Sequence, residues 1–256
     1  MAEVVVAFDI YGTLLSLETA THELEQHFRG DAQRARTVAQ TWRRYQLEYT
    51  WRLNSMGRYL PFDEVTRNAL LHALDDTGSS LDEPAIDGVL AAYDRLQPFP
   101  DVEEALRKIS ATARIRPVVF SNGTVDMVRA CLSHAPPQLL LQLQLQNMEI
   151  ISVHPLQQYK PAPAAYSHLR EQVAGTGGGG GGSSSSSSSS SSTATIWLIS
   201  ANPFDIAGAS SAGLNTIWVD RDQNQAGWSD RALPEVKPTA TIRRLAECVD
   251  IIKGYQ

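Results

Sequence analysis

Five apolar residues in a row, Val4, Val5, Val6, Ala7 and Phe8, lead directly into Asp9. An unbroken apolar run reads as a strand buried on both faces, the habit of parallel sheets covered by helices. Open α/β sheets bind ligands outside the carboxyl ends of their strands. Asp9 therefore stands where a functional carboxylate belongs. Gly12 lets the backbone turn tightly behind it, and Thr13 can hydrogen-bond back towards the carboxylate.

Beyond Thr13 the chain changes character. Helical patterning fills about 18–96 with almost no strand signal. Ala35, Val38, Ala39, Trp42, Tyr45 and Tyr49 recur at three- and four-residue spacing and predict a helix over about 31–53. A second is predicted over 62–76, with Pro61 just before it, and a third over about 83–96. From Pro98 onwards strands and helices alternate. Strands are predicted at 117–120, 149–153, 195–200 and 215–220, the last being the final clear one. Helices are predicted at 103–110, 125–132, 162–173, about 203–212 and 239–252. Such alternation predicts an α/β fold, a doubly wound parallel sheet. The predicted division is an α/β core from 1–15 and 98–256, with a helical cap inserted at 16–97.

Residues 175–195 hold six consecutive Gly and ten consecutive Ser. A tract with no apolar surface to bury is expected to be a disordered insertion in the core, away from the functional edge of the sheet. Homopolymer tracts also suggest a eukaryotic source. The stretch 139–146, which alternates Leu and Gln, fits either an edge strand or a helix.

Composition narrows the function classes. With 22 basic and 28 acidic residues the net charge is −6, which leaves no basic footprint for nucleic acid. No apolar run approaches the ~20 residues needed to span a bilayer, and no basic n-region precedes the first strand. Cys131 and Cys248 lie in no metal-ligand or redox spacing and read as reduced thiols. A cytoplasmic setting is the expectation. The six histidines show no metal-ligand spacing either, and none is given a catalytic role.

Four strand ends deliver polar residues in chain order: Asp9, then Ser121 and Asn122, then Lys160, then Ser200, Asn202 and Asp205. In a parallel sheet these ends share one edge, so a single site is built from distant segments. Each motif alone has a bland alternative. Ser-Asn-Gly after a strand is a common turn, Lys160-Pro161 can be a solvated lysine before a helix, and Asp205 can be a first-turn acid facing a helix dipole. Arg43 beside an apolar stripe can be a snorkelling surface residue, and Tyr166 can be a core aromatic. The combination in this order is what argues for a site.

Phe8-Asp9-Ile10-Tyr11-Gly12-Thr13-Leu14 resembles the first motif of the haloacid dehalogenase-like superfamily, whose aspartate is a nucleophile. Its phosphatases carry a second acid two residues on, where Tyr11 stands here. The likeness extends to the L-2-haloacid dehalogenases. Trp42-Arg43, Gln46-Leu47-Glu48-Tyr49-Thr50-Trp51, Met56, Arg58-Tyr59 and Phe62 look like that family's cap. Ser121-Asn122-Gly123, Ser133-His134-Ala135, Tyr159-Lys160-Pro161, Tyr166 and Ser200-x-Asn202-x-x-Asp205 resemble its core. This implies a hydrolytic dehalogenase for a short (S)-2-haloacid, working through an aspartyl ester, with no metal and no cofactor.

The resemblance also implies roles. Asp9 matches the nucleophile, Thr13 the threonine that holds its carboxylate, and Lys160 the lysine that keeps it ionised. Ser121 matches the hydroxyl that binds the substrate carboxylate, with backbone amides near Tyr11 and Asn122. Arg43 matches the receiver of the halide. Ser200, Asn202, Tyr166 and Asp205 match the polar set around the hydrolytic water. Tyr11, Leu47, Phe62 and Phe204 complete the expected substrate pocket.

Four departures from the pattern stand out: Arg44 for a neutral polar residue, Ala201 for a second serine, Phe204 for a tryptophan, and His154 for an acid. All but His154 are expected to face the pocket, and a second arginine there would suit a larger or dianionic acid. The alternatives are another hydrolase of the superfamily, such as a phosphatase, or a non-catalytic protein that kept the fold. The expected partner is a small 2-halo carboxylate, with a homodimer through an apolar cap face as a further option.

Overall fold

In the computed structural model, which describes residues 3–134, 147–176, 194–221 and 227–255, the opening apolar run is a central strand. This strand, β1 (Val4–Phe8), is buried along its whole length. Its neighbours are β2 (Ile115–Ser121) on one side and β4 (Thr195–Ser200) on the other. The sheet continues through β3 (Glu149–Ser152), β5 (Asn215–Val219) and β6 (Ala240–Ile242), in the order β3-β2-β1-β4-β5-β6. Every pairing is parallel.

The register explains why this edge carries the chemistry. Phe8 lies level with Val119 on β2 and Ile199 on β4. The next residues along the three strands are Asp9, Phe120 and Ser200. The order reverses at β1, since β2 lies to one side and β4 to the other, and that reversal opens the crevice where such sheets bind ligands.

Between β1 and α5 (Val102–Ser110) the structure is helical: α1 (Glu18–His27), α2 (Ala32–Ser55), α3 (Phe62–Asp76) and α4 (Glu83–Tyr93). Side-chain oxygens of Asp31 and Asp82 accept from Arg34 N and Ala85 N, both at 3.0 Å, and so cap α2 and α4. The buried face of α2 is Ala35, Val38, Trp42, Gln46 and Thr50, apolar for its first half and polar for its second. That switch sets up the site. Trp51 near the end of α2, and Met56 and Leu60 in the turn that follows it, are exposed.

The remaining helices accompany their strands: α6 (Val125–Ser133) after β2, α7 (Pro163–Thr176) before β4, α8 (Pro203–Ser211) after β4, and α9 (Cys248–Gly254) at the end. One expectation fails here. Residues 239–252 do not form one helix, and β5 is not the last strand. Ala240, Thr241 and Ile242 pair with Ile217, Trp218 and Val219 as β6, and a 3-10 turn at Leu245–Glu247 then leads into α9. The β-branched run Thr239, Thr241, Ile242 fits an open sheet edge better than a helix. Thr239 also joins the edge directly, its hydroxyl accepting from Thr216 N at 3.0 Å. The Leu/Gln stretch at 139–146 and nearly all of the Gly/Ser tract lie outside the described residues. Among the described residues no helix is long and apolar enough to cross a membrane.

Candidate active site

Asp9 is only 6% exposed, and its two carboxylate oxygens sit in different environments. Oδ2 accepts from Thr13 Oγ1 at 2.7 Å, Asn202 Nδ2 at 2.7 Å and Ser200 Oγ at 3.2 Å. Among the described residues Oδ1 accepts from Lys160 Nζ alone, at 3.3 Å. The two hydroxyls have little freedom to turn away. Thr13 Oγ1 accepts from Ala201 N at 2.9 Å, and Ser200 Oγ accepts from Asn202 N at 3.0 Å. With a backbone N–H on each acceptor side, each O–H is directed at Oδ2. Asn202 occupies the N-cap position of α8, yet its side chain makes no cap bond. It reaches instead to Asp9 and to the Tyr11 carbonyl oxygen, at 3.0 Å. Forgoing that cap costs a helix about 1 kcal/mol.

Lys160 is 1% exposed, and its ammonium has three acceptors for its three protons. These are Phe120 O at 2.6 Å, Asp205 Oδ2 at 2.9 Å and Asp9 Oδ1 at 3.3 Å. The Lys160 backbone N donates to Asn122 Oδ1 at 2.9 Å, which fixes the loop to the end of β2. Asp205 is wholly buried, and burial pushes its carboxyl up to about 6 even though Lys160 pulls the other way. Its second oxygen accepts from Tyr166 Oη at 2.9 Å. Tyr166 fits because residue 208 is glycine. A Cβ there would lie 2.4 Å from the Tyr166 hydroxyl oxygen.

Arg43 comes down from α2. Its Nη2 donates to Asn202 Oδ1 at 3.2 Å and its Nη1 to Gln46 Oε1 at 2.7 Å. The guanidinium is therefore one side chain removed from the Asp9 carboxylate. Arg44 does not face the pocket, contrary to expectation. It is exposed and paired with Asp76 at 3.0 Å. Adjacent helix positions point about 100° apart, so only one of two consecutive arginines can look into the cleft.

An aromatic wall closes the other side. Tyr11 is 3% exposed, stacked on Phe62 with centroids 5.7 Å apart and tilted against Tyr93 at 5.2 Å. Its hydroxyl has no hydrogen-bond partner among the described residues, and burial holds its pKa well above the usual phenol value. Its ring rests on Gly123, where a Cβ would come within 2.8 Å of the hydroxyl oxygen. Ser121 Oγ accepts from Gly123 N at 2.9 Å, leaving its proton to donate. Leu47 is half-buried one turn after Arg43, and half-buried Phe204 packs edge-on against Trp51 at 5.7 Å. Asp9, Thr13, Arg43, Lys160, Ser200, Asn202, Asp205 and Tyr166 thus form one connected polar network.

Two further residues carry no signal strong enough to be assigned from sequence. Gln46 is polar within the buried stripe of α2, and that break in the stripe is the clue it offers. Asn54 donates to Tyr159 O at 2.7 Å and accepts from Tyr159 N at 2.9 Å, pinning the residue before Lys160 to α2. That role needs the fold to be seen.

Residues 4–213 match the family described as haloacid dehalogenase-like hydrolase. The chain is 32% identical over 219 residues to (S)-2-haloacid dehalogenase of Pseudomonas sp. (strain YL), covering 86% of this chain and 83% of that protein. It is 30% identical over 216 residues to haloacetate dehalogenase H-2 of Moraxella sp. (strain B), covering 84% and 85%. The chain belongs to the haloacid dehalogenase-like hydrolases, among the (S)-2-haloacid dehalogenases. The solved structure of L-2-haloacid dehalogenase from Xanthobacter autotrophicus aligns with a TM-score of 0.80 at 26% identity, covering 100% of both chains. The same enzyme with chloropropionic acid covalently bound aligns with a TM-score of 0.75. These relatives are bacterial, so they give the suggested eukaryotic source no support.

Phosphatases of this superfamily use magnesium, whose sites are built from carboxylates and retained waters. The donor set here does not suit that ion. The Lys160 ammonium bonds both Asp9 and Asp205, and Tyr11 replaces the second acid of the first motif. Among the described residues no group of three His, Cys, Asp or Glu side chains is placed to hold a metal ion.

Proposed function

We propose that the protein hydrolyses a short (S)-2-haloacid to the (R)-2-hydroxy acid through an ester on Asp9. The observation that carries this reading is the inequality of the two Asp9 oxygens. Oδ1, with a single long contact from Lys160, keeps lone pairs available and is the attacking atom. It forms a bond to the halogen-bearing carbon from the side opposite the halide, and the halide leaves with the bonding pair. Attack from the rear inverts the centre. The carbon–oxygen bond now joins substrate to Oδ1, and Oδ2 becomes the ester carbonyl oxygen.

Water then adds to the aspartyl carbon. Negative charge develops on Oδ2, where the donors from Thr13, Asn202 and Ser200 already converge. Donors held in advance at a developing oxyanion are the largest single catalytic contribution in many enzymes. Asp205, ionised above a pH of about 6, accepts the water's proton. As the tetrahedral centre collapses, the Oδ1 bond to Asp9 breaks at the aspartyl carbon. The proton held by Asp205 passes to the departing hydroxy acid, the second proton of the water is released to solvent, and the Asp9 carboxylate is regenerated.

The rest of the cleft is assigned by chemistry. Ser121 and Asn122 bind the substrate carboxylate at the N-terminus of α6. Arg43 faces the departing halide. Tyr11, Leu47, Phe62 and Phe204 line the apolar part. The helical segment α1–α4 serves as a cap that brings Arg43 onto the core. A cytoplasmic setting accompanies this reading: Cys131 and Cys248 are free and buried, and burial pushes each thiol up to about 12.

The test is a single turnover in heavy-oxygen water with chelator in excess, using an L-2-chloro acid. The expected result is stoichiometric chloride, unlabelled D-2-hydroxy acid, and label in the Asp9 carboxylate. Asp9→Asn should release no halide while remaining folded. Labelled first product would show direct attack by water. Phosphate release that needs magnesium, with no halide from either enantiomer, would replace this reading with the phosphatase one.

A further inference from the structure

We infer that Gln46 is a positioning residue, a neutral tether that aims Arg43 at the departing halide without cancelling its charge. The inference rests on the dehalogenase reading above and deepens it. Several other arginines of this protein are held by carboxylates. Arg44 pairs with Asp76, Arg67 with Asp87 at 2.9 Å, Arg116 with Glu149 and Arg221 with Asp101, both at 2.8 Å. Arg43 differs. Among the described residues its two acceptors are amide oxygens, from Gln46 and Asn202, and neither carries charge.

The orientation of Gln46 is dictated by its surroundings. The side chain is 1% exposed. Thr66 Oγ1 gives its own proton to Phe62 O at 2.6 Å, so towards Gln46 it can only accept. Gln46 Nε2 therefore donates to Thr66 Oγ1, at 2.7 Å. The carbonyl oxygen must face the other way, where it receives Arg43 Nη1 at 2.7 Å and Tyr93 Oη at 3.2 Å. Reversing the amide would set its N–H groups against those of Arg43. A planar guanidinium gripped at Nη1 by Gln46 and at Nη2 by Asn202 has its plane fixed, and its remaining N–H groups have a fixed direction.

Chemistry explains why the tether is glutamine. A glutamate would grip the guanidinium more firmly. It would also place a full negative charge against the cation that must stabilise an anion, and at short range in a buried cleft that opposes the halide directly. The amide keeps the geometry and leaves the charge.

The experiment compares L-2-chloro- and L-2-bromopropionate as substrates and chloride as an inhibitor, for wild type, Gln46→Glu, Gln46→Met and Arg43→Ala. Chloride is the poorer leaving group and depends more on Arg43. Gln46→Glu should lower kcat on the chloro acid by about 10²-fold, the cost of losing one stabilising group at developing charge. The bromo acid should lose less, so the bromo-to-chloro ratio rises. Chloride inhibition should weaken at least ~10-fold, with KM for the substrate little changed, because loss of transition-state stabilisation alone appears in kcat. Gln46→Met, which keeps volume and adds no charge, should move the ratio the same way by less. It decides the matter if the glutamate variant fails to fold.

A folded Gln46→Glu that slows both substrates equally and leaves chloride inhibition unchanged overturns the inference and makes Gln46 a packing residue. Arg43→Ala separates the two layers of argument. If it keeps the wild-type ratio and chloride inhibition, the role given to Arg43 fails and the inference falls with it. If it is inactive while Gln46→Glu behaves as wild type, only the inference about Gln46 fails.

Discussion

Replacing Thr13 with valine removes one hydroxyl and little else, since the two side chains share a shape. Thr13 Oγ1 donates to Asp9 Oδ2 at 2.7 Å and accepts from Ala201 N at 2.9 Å. The substitution removes both bonds. The Ala201 N–H loses its acceptor, which costs about 1–3 kcal/mol of stability where water cannot replace it. The charge-assisted bond to Asp9 is also lost, and its effect differs between the two chemical steps. In the first step Oδ2 passes from carboxylate oxygen to ester carbonyl, so its negative charge falls and the Thr13 donor contributes less as the reaction proceeds. In the second step Oδ2 becomes an oxyanion, and the donor is needed most. Removing one of three donors at such a centre costs about 10²–10³ in rate. Thr13→Val should therefore slow ester hydrolysis by roughly that factor and slow alkylation far less. Rapid-quench measurement should show a halide burst of about one equivalent per site, then a slow phase. Mass spectrometry should find Asp9 esterified at steady state. Absence of the burst, with alkylation slowed as much as hydrolysis and no ester detected, would refute the assignment of Oδ2 as the stabilised oxyanion.

In the proposed mechanism catalysis needs Asp205 ionised, and burial pushes its carboxyl up to about 6, so kcat should fall as pH drops through about 6. Asp205→Asn should remove that limb together with most of the activity; an unchanged limb at the same pH would assign it elsewhere. Gly208→Ala should drive Tyr166 off Asp205, because the added Cβ would lie 2.4 Å from the phenol oxygen. The carboxylate then loses a donor that favours its ionised form, so the acid limb should move above its wild-type position. A limb that stays fixed while activity falls would show that Tyr166 acts without tuning Asp205.

Much of this site was legible because it is built from strand ends. Val4–Phe8 announces a buried parallel strand, and a carboxylate after such a strand has one direction to point. The same logic places Ser121 at the end of β2 and Ser200 at the end of β4. What stayed hidden depends on helix rotation and on partners far apart in sequence. Arg43 and Arg44 are indistinguishable by composition, and only the packing of α2 sends one into the cleft and the other to Asp76. Gln46 gains its meaning from Thr66 and Tyr93, which sit on α3 and α4. Asn54 gains its meaning from Tyr159, 105 positions away. At the C-terminus, the strand β6 was masked by a helical-looking run because edge pairing depends on β5 being there to receive it.

In the proposed mechanism one carboxylate attacks a molecule that carries another, and the charges explain how. Asp9 and Asp205 contribute two negative charges, and Lys160 and Arg43 two positive ones. The set is neutral before substrate enters. Lys160 is committed to the two aspartates and stacks over Phe120 at 4.1 Å, so it offers nothing to an incoming anion. The attraction for the substrate carboxylate comes from the partial positive charge at the N-terminus of α6, beside Ser121 and Asn122, and the uncancelled Arg43 is left for the departing halide. Protonating Asp205 removes one negative charge from this balance. Below a pH of about 6 the cleft therefore becomes net positive while the hydrolytic step loses its base. Affinity for the anionic substrate should rise as turnover falls, so KM and kcat should decrease together on the acid side. With alkylation intact, a halide burst of about one equivalent per site should accompany the fall; loss of the burst together with kcat would show that alkylation, not Asp205-assisted hydrolysis, has failed.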